Sequence, residues 1–158
     1  MRKLTLLIVA LTTLALSGIA LATPGTPLLR HVTEQVSGTL WNDVHLNSDR
    51  IKFQTKDPVD VVVQDVTYDA GASSGWHTHP GFVIVIIRTG HMKFYHSDCS
   101  FDSLEPGTTF VETGDDPVNA RNESSSPATL TATFVAPHAV PLAIRTDVSP
   151  APATCNIP

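Results

Sequence analysis

Short apolar runs separated by turn residues make up most of the chain from residue 28 onward. The runs are rich in Val, Ile, Thr and Phe, and Gly, Pro, Asp or Ser residues stand between them, as is typical of strands joined by turns. Strands are predicted at 28–36, 51–54, 59–68, 75–79, 82–88, 91–96, 108–112, 118–120 and 128–135. No convincing amphipathic helix interrupts them. Because evenly spaced short strands are typical of sandwiches and barrels, the pattern predicts one all-β domain.

Two details of this pattern predict local structure in the middle of the chain. The run at 82–87 is apolar at every position, which indicates a strand that is buried on both of its faces. Thr89 and Gly90 form a two-residue link between two strongly β segments, and glycine suits the positive φ that a tight turn needs. The sequence therefore predicts a hairpin between the strands at 82–88 and 91–96.

The start of the chain has the pattern of a secretory signal peptide. Arg2 and Lys3 precede an apolar run at 4–19, and a small-x-small cleavage site ends at Ala22. The alternative is an uncleaved membrane anchor, but the apolar run is short for a bilayer span of about 20 residues. We expect the mature protein to be secreted or periplasmic, without stable membrane insertion. The expected organisation is a signal peptide at 1–22, a flexible leader at 23–27 and a single β-barrel domain at 28–158.

The charge of the chain narrows the classes of partner. Its formal net charge is −5 at pH 7, and loss of the segment 1–22 would remove two cations and no acidic residue. Because nucleic-acid binding requires a basic surface that neutralises phosphates, an acidic domain argues against a nucleic-acid partner.

The two cysteines agree with an exported protein. In an oxidising compartment, an isolated pair such as Cys99 and Cys155 most simply forms a disulfide, which would attach the end of the chain to the body of the domain. The alternative is a metal or redox pair, but no CxxC or Cys-His spacing supports it.

His77 and His79 are the candidate functional centre. On a strand, residues two apart point to the same face, so both imidazoles are expected to project together. Two such imidazoles can share a Zn, Mn, Fe, Ni or Cu ion. The alternative is a polar, hydrogen-bonded pair at the mouth of a barrel, because two histidines alone give an incomplete ligand shell.

The motif around these histidines resembles the cupin family. Gly71, His77, His79 and Gly90 stand where that family's first motif has a glycine, a His-x-His pair and a closing glycine. The amino-acid sequence here is similar to that of small, secreted bacterial single-domain cupins of the RmlC-like type. The similarity extends over nearly the whole chain from Leu28. The resemblance implies an all-β jelly-roll barrel of two antiparallel sheets, with any site inside the barrel. It also implies a small-molecule partner and, in many members, a homodimer.

Two departures from the family pattern bear on metal binding. The family's glutamate would fall at Val83 or Ile84, and the second motif's histidine would fall at Val118, so two of the four usual ligands are absent. Asp116 is the possible substitute ligand, because it would face the same side as Val118 if that segment is extended. Glu112 lies on the same coarse segment.

Three functions remain open from the sequence. The first is a non-catalytic protein whose small-ligand pocket is centred on His77 and His79, with a degraded metal site. The second is a metal-dependent oxygenase, isomerase or decarboxylase that acts on a small polar substrate. The third is a structural envelope protein without a ligand. The cofactor is accordingly either a divalent transition metal or none, and one fold hosts many chemistries.

Overall fold

The computed structural model describes residues 30–152, 155 and 157. The predicted signal peptide and leader, and the first two residues of the predicted strand at 28–36, lie outside the described residues. The strands are β1 (Arg30–Leu40), β2 (His45–Asn47), β3 (Lys52–Gln54), β4 (Val59–Tyr68), β5 (His77–Thr78), β6 (Phe82–Thr89), β7 (Met92–Tyr95), β8 (Phe101–Leu104), β9 (Thr109–Thr113), β10 (Asn119–Arg121), β11 (Ala128–Pro137) and β12 (Thr146–Asp147). No helix occurs among the described residues, and the predicted all-β class is confirmed.

The strands form antiparallel sheets around one core. The large sheet has the order β1-β4-β11-β6-β9, and a smaller sheet has the order β10-β7-β8. Two short ribbons, β12-β5 and β2-β3, complete the pairing within the described part of the chain. Two antiparallel sheets that enclose a shared core agree with the jelly roll that the resemblance to cupins implies.

Alternating burial along the strands builds that core. In β4, every second residue from Asp60 to Tyr68 is buried, which is the period of a strand with one face on the interior. The apolar members of this face pack with side chains from both sheets, including Val62, Val66, Val85, Ile87, Met92, Phe94, Leu104 and Leu130. Burial of one such side chain contributes about 1.5–3 kcal/mol. The same inward face of β4 also carries the polar residues Gln64 and Tyr68.

The structure corrects two details of the sequence-based picture. Strand β6 is not buried on both faces, because Ile84 and Ile86 on its outer side are 37% and 43% exposed. Thr89 and Gly90 do not close a hairpin either: β6 pairs with β9 and β11, whereas β7 pairs with β8 and β10. Gly90 does have the expected positive φ of 75°. The turn at Thr89 and Gly90 therefore connects β6 of the large sheet to β7 of the smaller sheet.

The predicted disulfide between Cys99 and Cys155 is present. Cys155 also belongs to a second, smaller apolar cluster with the buried side chains of Trp76 and Tyr95. The covalent bond thus attaches residue 155 to the turn between β7 and β8. Separately, no helix within residues 30–152 is long and apolar enough to cross a membrane.

Candidate functional site

His77 and His79 lie together inside the barrel. Both side chains are buried, and their ring centroids are 4.8 Å apart with nearly perpendicular planes. The strand parity inferred from the sequence therefore places both imidazoles on one face. The pair begins at β5, whose short ribbon with β12 sets Thr146 opposite Thr78 and Asp147 opposite His77.

Glu112 completes a cluster of three potential ligands. Its Oε2 atom is 2.8 Å from His79 Nε2 and 3.9 Å from His77 Nε2, and all three side chains are buried. The ligand atoms of the three residues lie within 4.8 Å of one another. Two imidazoles and one carboxylate at this spacing could hold a transition-metal ion.

Backbone carbonyls orient both imidazoles. His77 Nδ1 is 2.9 Å from the carbonyl oxygen of Gly75, and His79 Nδ1 is 2.6 Å from the carbonyl oxygen of Ile144. A carbonyl oxygen only accepts hydrogen bonds, so each Nδ1 carries a proton and donates it. The two Nε2 atoms are consequently the ones directed toward Glu112. Proteins usually fix the orientation of a metal-ligating histidine by a hydrogen bond from the ring nitrogen that does not bind the metal.

The surroundings of His77 keep its imidazole neutral. Burial in the barrel lowers the pKa of His77 from 6.5 to about 3, and the nearby positive charge of Arg145 acts in the same direction. A neutral imidazole retains the lone pair that binds a metal ion. His77 is thus available as a ligand across the whole physiological pH range.

The turn between β9 and β10 packs tightly against the histidine segment. His79 N donates to the carbonyl oxygen of Gly114 at 3.1 Å, and His77 exchanges backbone hydrogen bonds with Val118. A Cβ atom on Gly114 would lie 2.5 Å from the carbonyl oxygen of His79. Only glycine fits this approach without displacement of the backbone.

The cluster opens into a cavity of about 100 Å³. Most of its wall is apolar and comes from the core faces of β6 and β11, including Val85, Ile87, Leu130 and Phe134. The polar residues of the wall, besides His77, His79 and Glu112, are Arg30, Gln64, Tyr68, Lys93 and Arg145. An apolar pocket with a few convergent polar groups is the usual form of a small-molecule site.

The structure does not bring the other candidate residue into this cluster. Asp116 is exposed in the turn that precedes β10, and the group of possible ligands contains Glu112 instead. From the sequence, Glu112 could be placed only in the same part of the chain as Asp116. The sequence did not reveal the strand register, in which Glu112 lies directly opposite Val83.

Two valines stand where the cupin motifs would have a metal ligand, and both of them border the site. Val83, on β6, faces the cavity and pairs with Glu112. Val118 is buried and forms an isolated bridge with His77. The remaining described histidines do not reach the cluster: His96, for example, lies 3.0 Å from Asp102 at the surface.

Comparisons with known proteins give structural likenesses alone, since no family model and no curated protein matches the chain. A conserved protein of unknown function from Streptococcus pyogenes is 19% identical with a TM-score of 0.45, over 67% of this chain and 77% of that one. A cupin domain from Bordetella pertussis is 19% identical with a TM-score of 0.43, over 48% and 80%. A sugar phosphate isomerase of the cupin superfamily from Silicibacter pomeroyi is 23% identical with a TM-score of 0.43, over 46% and 48%. The chain spans about half the length of that isomerase.

Proposed function

We propose that this chain is an exported, cupin-like barrel protein that holds a divalent transition-metal ion on His77, His79 and Glu112 and binds a small molecule beside it. The observation that carries the proposal is the buried group of three ligand atoms within 4.8 Å of one another. Three protein ligands with a remaining open position are typical of catalytic rather than structural metal sites.

The chemistry of the residues fits such an ion. Both imidazoles present Nε2 because their Nδ1 atoms donate to backbone carbonyls, and Glu112 supplies the negative charge that a divalent cation requires in a buried place. When bound, the metal would act as a Lewis acid and orient a small molecule. The apolar residues of the cavity wall lower the polarity around this group and so strengthen its electrostatic interactions.

The position of Glu112 favours one of the three functions that the sequence left open. A two-histidine site would hold metal weakly, but a carboxylate that reaches the histidines from β9 offsets the apolar residues at Val83 and Val118. This favours a metal-dependent oxygenase, isomerase or decarboxylase of a small polar substrate over a degraded site. Which of these reactions occurs depends on the metal and the substrate.

One observation favours a second candidate, a metal-free small-ligand pocket. His79 Nε2 and Glu112 Oε2 are 2.8 Å apart, so the two groups form a hydrogen bond with each other without any ion. Buried polar groups that are paired in this way can serve purely to orient a ligand in an apolar cavity.

Export is supported by two independent features. Disulfides such as that between Cys99 and Cys155 persist mainly in oxidising compartments. The sequence of residues 1–22 has the charge and hydropathy pattern of a signal peptide. We therefore place the protein in the periplasm or outside the cell.

The test is elemental analysis of protein purified without chelator or affinity metal, followed by calorimetric titration with Mn, Fe, Co, Ni, Cu and Zn. Near-stoichiometric uptake is expected, and the double variant His77→Ala with His79→Ala should lose it. The matched control is His91→Ala with His96→Ala, because these two histidines lie at the surface and contact Glu105 and Asp102. Unchanged uptake by the first double variant would exclude the site, and absence of uptake by the native protein would favour the metal-free pocket.

A further inference from the structure

The three cations of the cavity wall differ in the carboxylate partners that they have among residues 30–152. Lys93 forms an ion pair with Glu123 at 2.8 Å, and Arg145 forms one with Asp147 at 2.6 Å. Arg30, the third cation that lines the cavity, is within ion-pair distance of no carboxylate among residues 30–152. Because a half-buried charge is costly unless it is compensated, this guanidinium is suited to an anion supplied from outside the chain.

The neighbours of Arg30 hold its side chain toward the cavity. Gln64 Nε2 donates to Gln35 Oε1 at 2.7 Å, which turns the other end of the Gln64 amide toward Arg30. Arg30 then donates to Gln64 Oε1 at 3.3 Å. A guanidinium has further donors in a fixed fork, so this contact orients the group and leaves donors for a ligand.

Tyr68 adds a neutral donor at the same place. It lies directly opposite Arg30 in the β1–β4 register and also lines the cavity. Burial raises the pKa of Tyr68, and this effect outweighs the opposite influence of Arg30, so its phenol stays protonated. A guanidinium beside a phenol O–H is a donor set for a carboxylate.

The cavity limits the size and character of the anion. Its volume is about 100 Å³, and an apolar cavity of roughly 150 Å³ is large enough for benzene. Because this cavity has about two thirds of that volume, the ligand should be smaller than benzene, with about four or five non-hydrogen atoms. The apolar wall formed by Val85, Ile87 and Leu130 favours hydrocarbon in the part of the molecule that lies against it.

We propose that the cavity binds a small monocarboxylic acid, whose carboxylate pairs with the guanidinium of Arg30 and whose short hydrocarbon part lies against Val85, Ile87 and Leu130. The inference rests on the proposed function in that it concerns the ligand of the same cavity. It assigns to Arg30 a recognition role that is separate from the three metal ligands.

The experiment is calorimetric titration of the purified protein with propionate and with propionamide, in EDTA and again after metal loading. These probes have the same number of non-hydrogen atoms and differ in charge. Propionate should bind at least about tenfold more tightly than propionamide, since a buried ion pair to arginine adds more than a neutral hydrogen bond. Equal affinity for the two probes, or no binding of propionate, would overturn the inference without any variant.

Two variants locate the charge that is responsible. Arg30→Gln should weaken propionate binding at least about tenfold and weaken propionamide binding less. Arg88→Gln is the matched control, because Arg88 is exposed and pairs with Asp65 outside the cavity. Full propionate affinity in Arg30→Gln overturns the inference. Metal uptake is measured on the same samples: uptake without propionate binding contradicts this inference alone, whereas propionate binding without uptake contradicts only the metal proposal.

Discussion

Glu112 lies directly opposite Val83 in the β6–β9 register, and its carboxylate oxygen Oε2 is 2.8 Å from His79 Nε2. The carboxylate thus approaches the histidines from the strand beside the one on which the resemblance to cupins would place it. Opposed residues of an antiparallel pair share a face of the sheet, so a side chain can occupy nearly the same space from either strand. A site can therefore keep its donor set while the residue that supplies it changes strand.

Glu112→Gln tests this assignment most directly. The variant keeps the size of the side chain but removes its negative charge, so we expect metal affinity to fall at least about tenfold. Asp116→Asn makes the same chemical change at an exposed turn residue and should leave affinity unchanged. Competition against a chromogenic chelator measures both. The reverse order of effects would show that Asp116 is the substitute ligand.

Val118→His should add a ligand rather than remove one. Val118 exchanges backbone hydrogen bonds with His77, so an imidazole introduced at position 118 would be attached next to the existing cluster. We expect tighter metal binding together with lower stability of the metal-free protein, because a larger polar side chain replaces a core valine. Titration and thermal denaturation of the same sample check the two effects. Unchanged affinity in a folded variant would show that position 118 does not correspond to the family's ligand.

The stability of the metal-free protein should depend on pH through His77. Its folded-state pKa is about 3 and its ordinary value is 6.5, so between these values the unfolded chain binds a proton that the folded chain does not. Stability should therefore fall as pH falls, by about 1.4 kcal/mol per pH unit from this one group. Denaturant unfolding in EDTA from about pH 6 to pH 4 measures the slope. His77→Gln should have a shallower slope, and an identical slope would contradict the burial of a neutral imidazole.

The disulfide should contribute measurably to stability. It joins residues 56 positions apart, and a loop of that length corresponds to about 2–5 kcal/mol of stabilisation. The double variant Cys99→Ser with Cys155→Ser should be less stable by that amount when no reductant is present. With reductant, the native protein and the variant should unfold at the same denaturant concentration. A difference that persists under reducing conditions would have to come from packing around Trp76 and Tyr95 instead.

The local pattern of the sequence was sufficient to predict most of the strands and the pairing of the two histidines on one face. Strand β4 begins and ends where the alternation of residues 59–68 predicts, and the i, i+2 spacing places His77 and His79 on one face. The short strands β2, β8 and β12 were missed, because two to four residues are too few to carry a periodic signal. The disulfide followed from there being only one possible pair.

Strand pairing was the information that the sequence could not supply. The apolar run in β6 has the composition of a strand buried on both faces, yet Ile84 and Ile86 face outward because β6 belongs to a sheet with only one covered side. The same limit applied to the site. Glu112 is 33 residues from His79 along the chain, and the two are brought together by the pairing of β9 with β6 and by the backbone contact between His79 and Gly114.

The close contact at Gly114 has a consequence for how sequences of this protein can vary. A library of single substitutions should show almost as little tolerance at Gly114 as at the proposed metal ligands, although glycine has no side chain to offer a ligand. The reason is spatial, since any Cβ would press on the carbonyl oxygens of His79 and Gly81 and displace the histidine segment. Among descendants of this chain, replacement of Gly114 would therefore be an early sign that the site is no longer under selection.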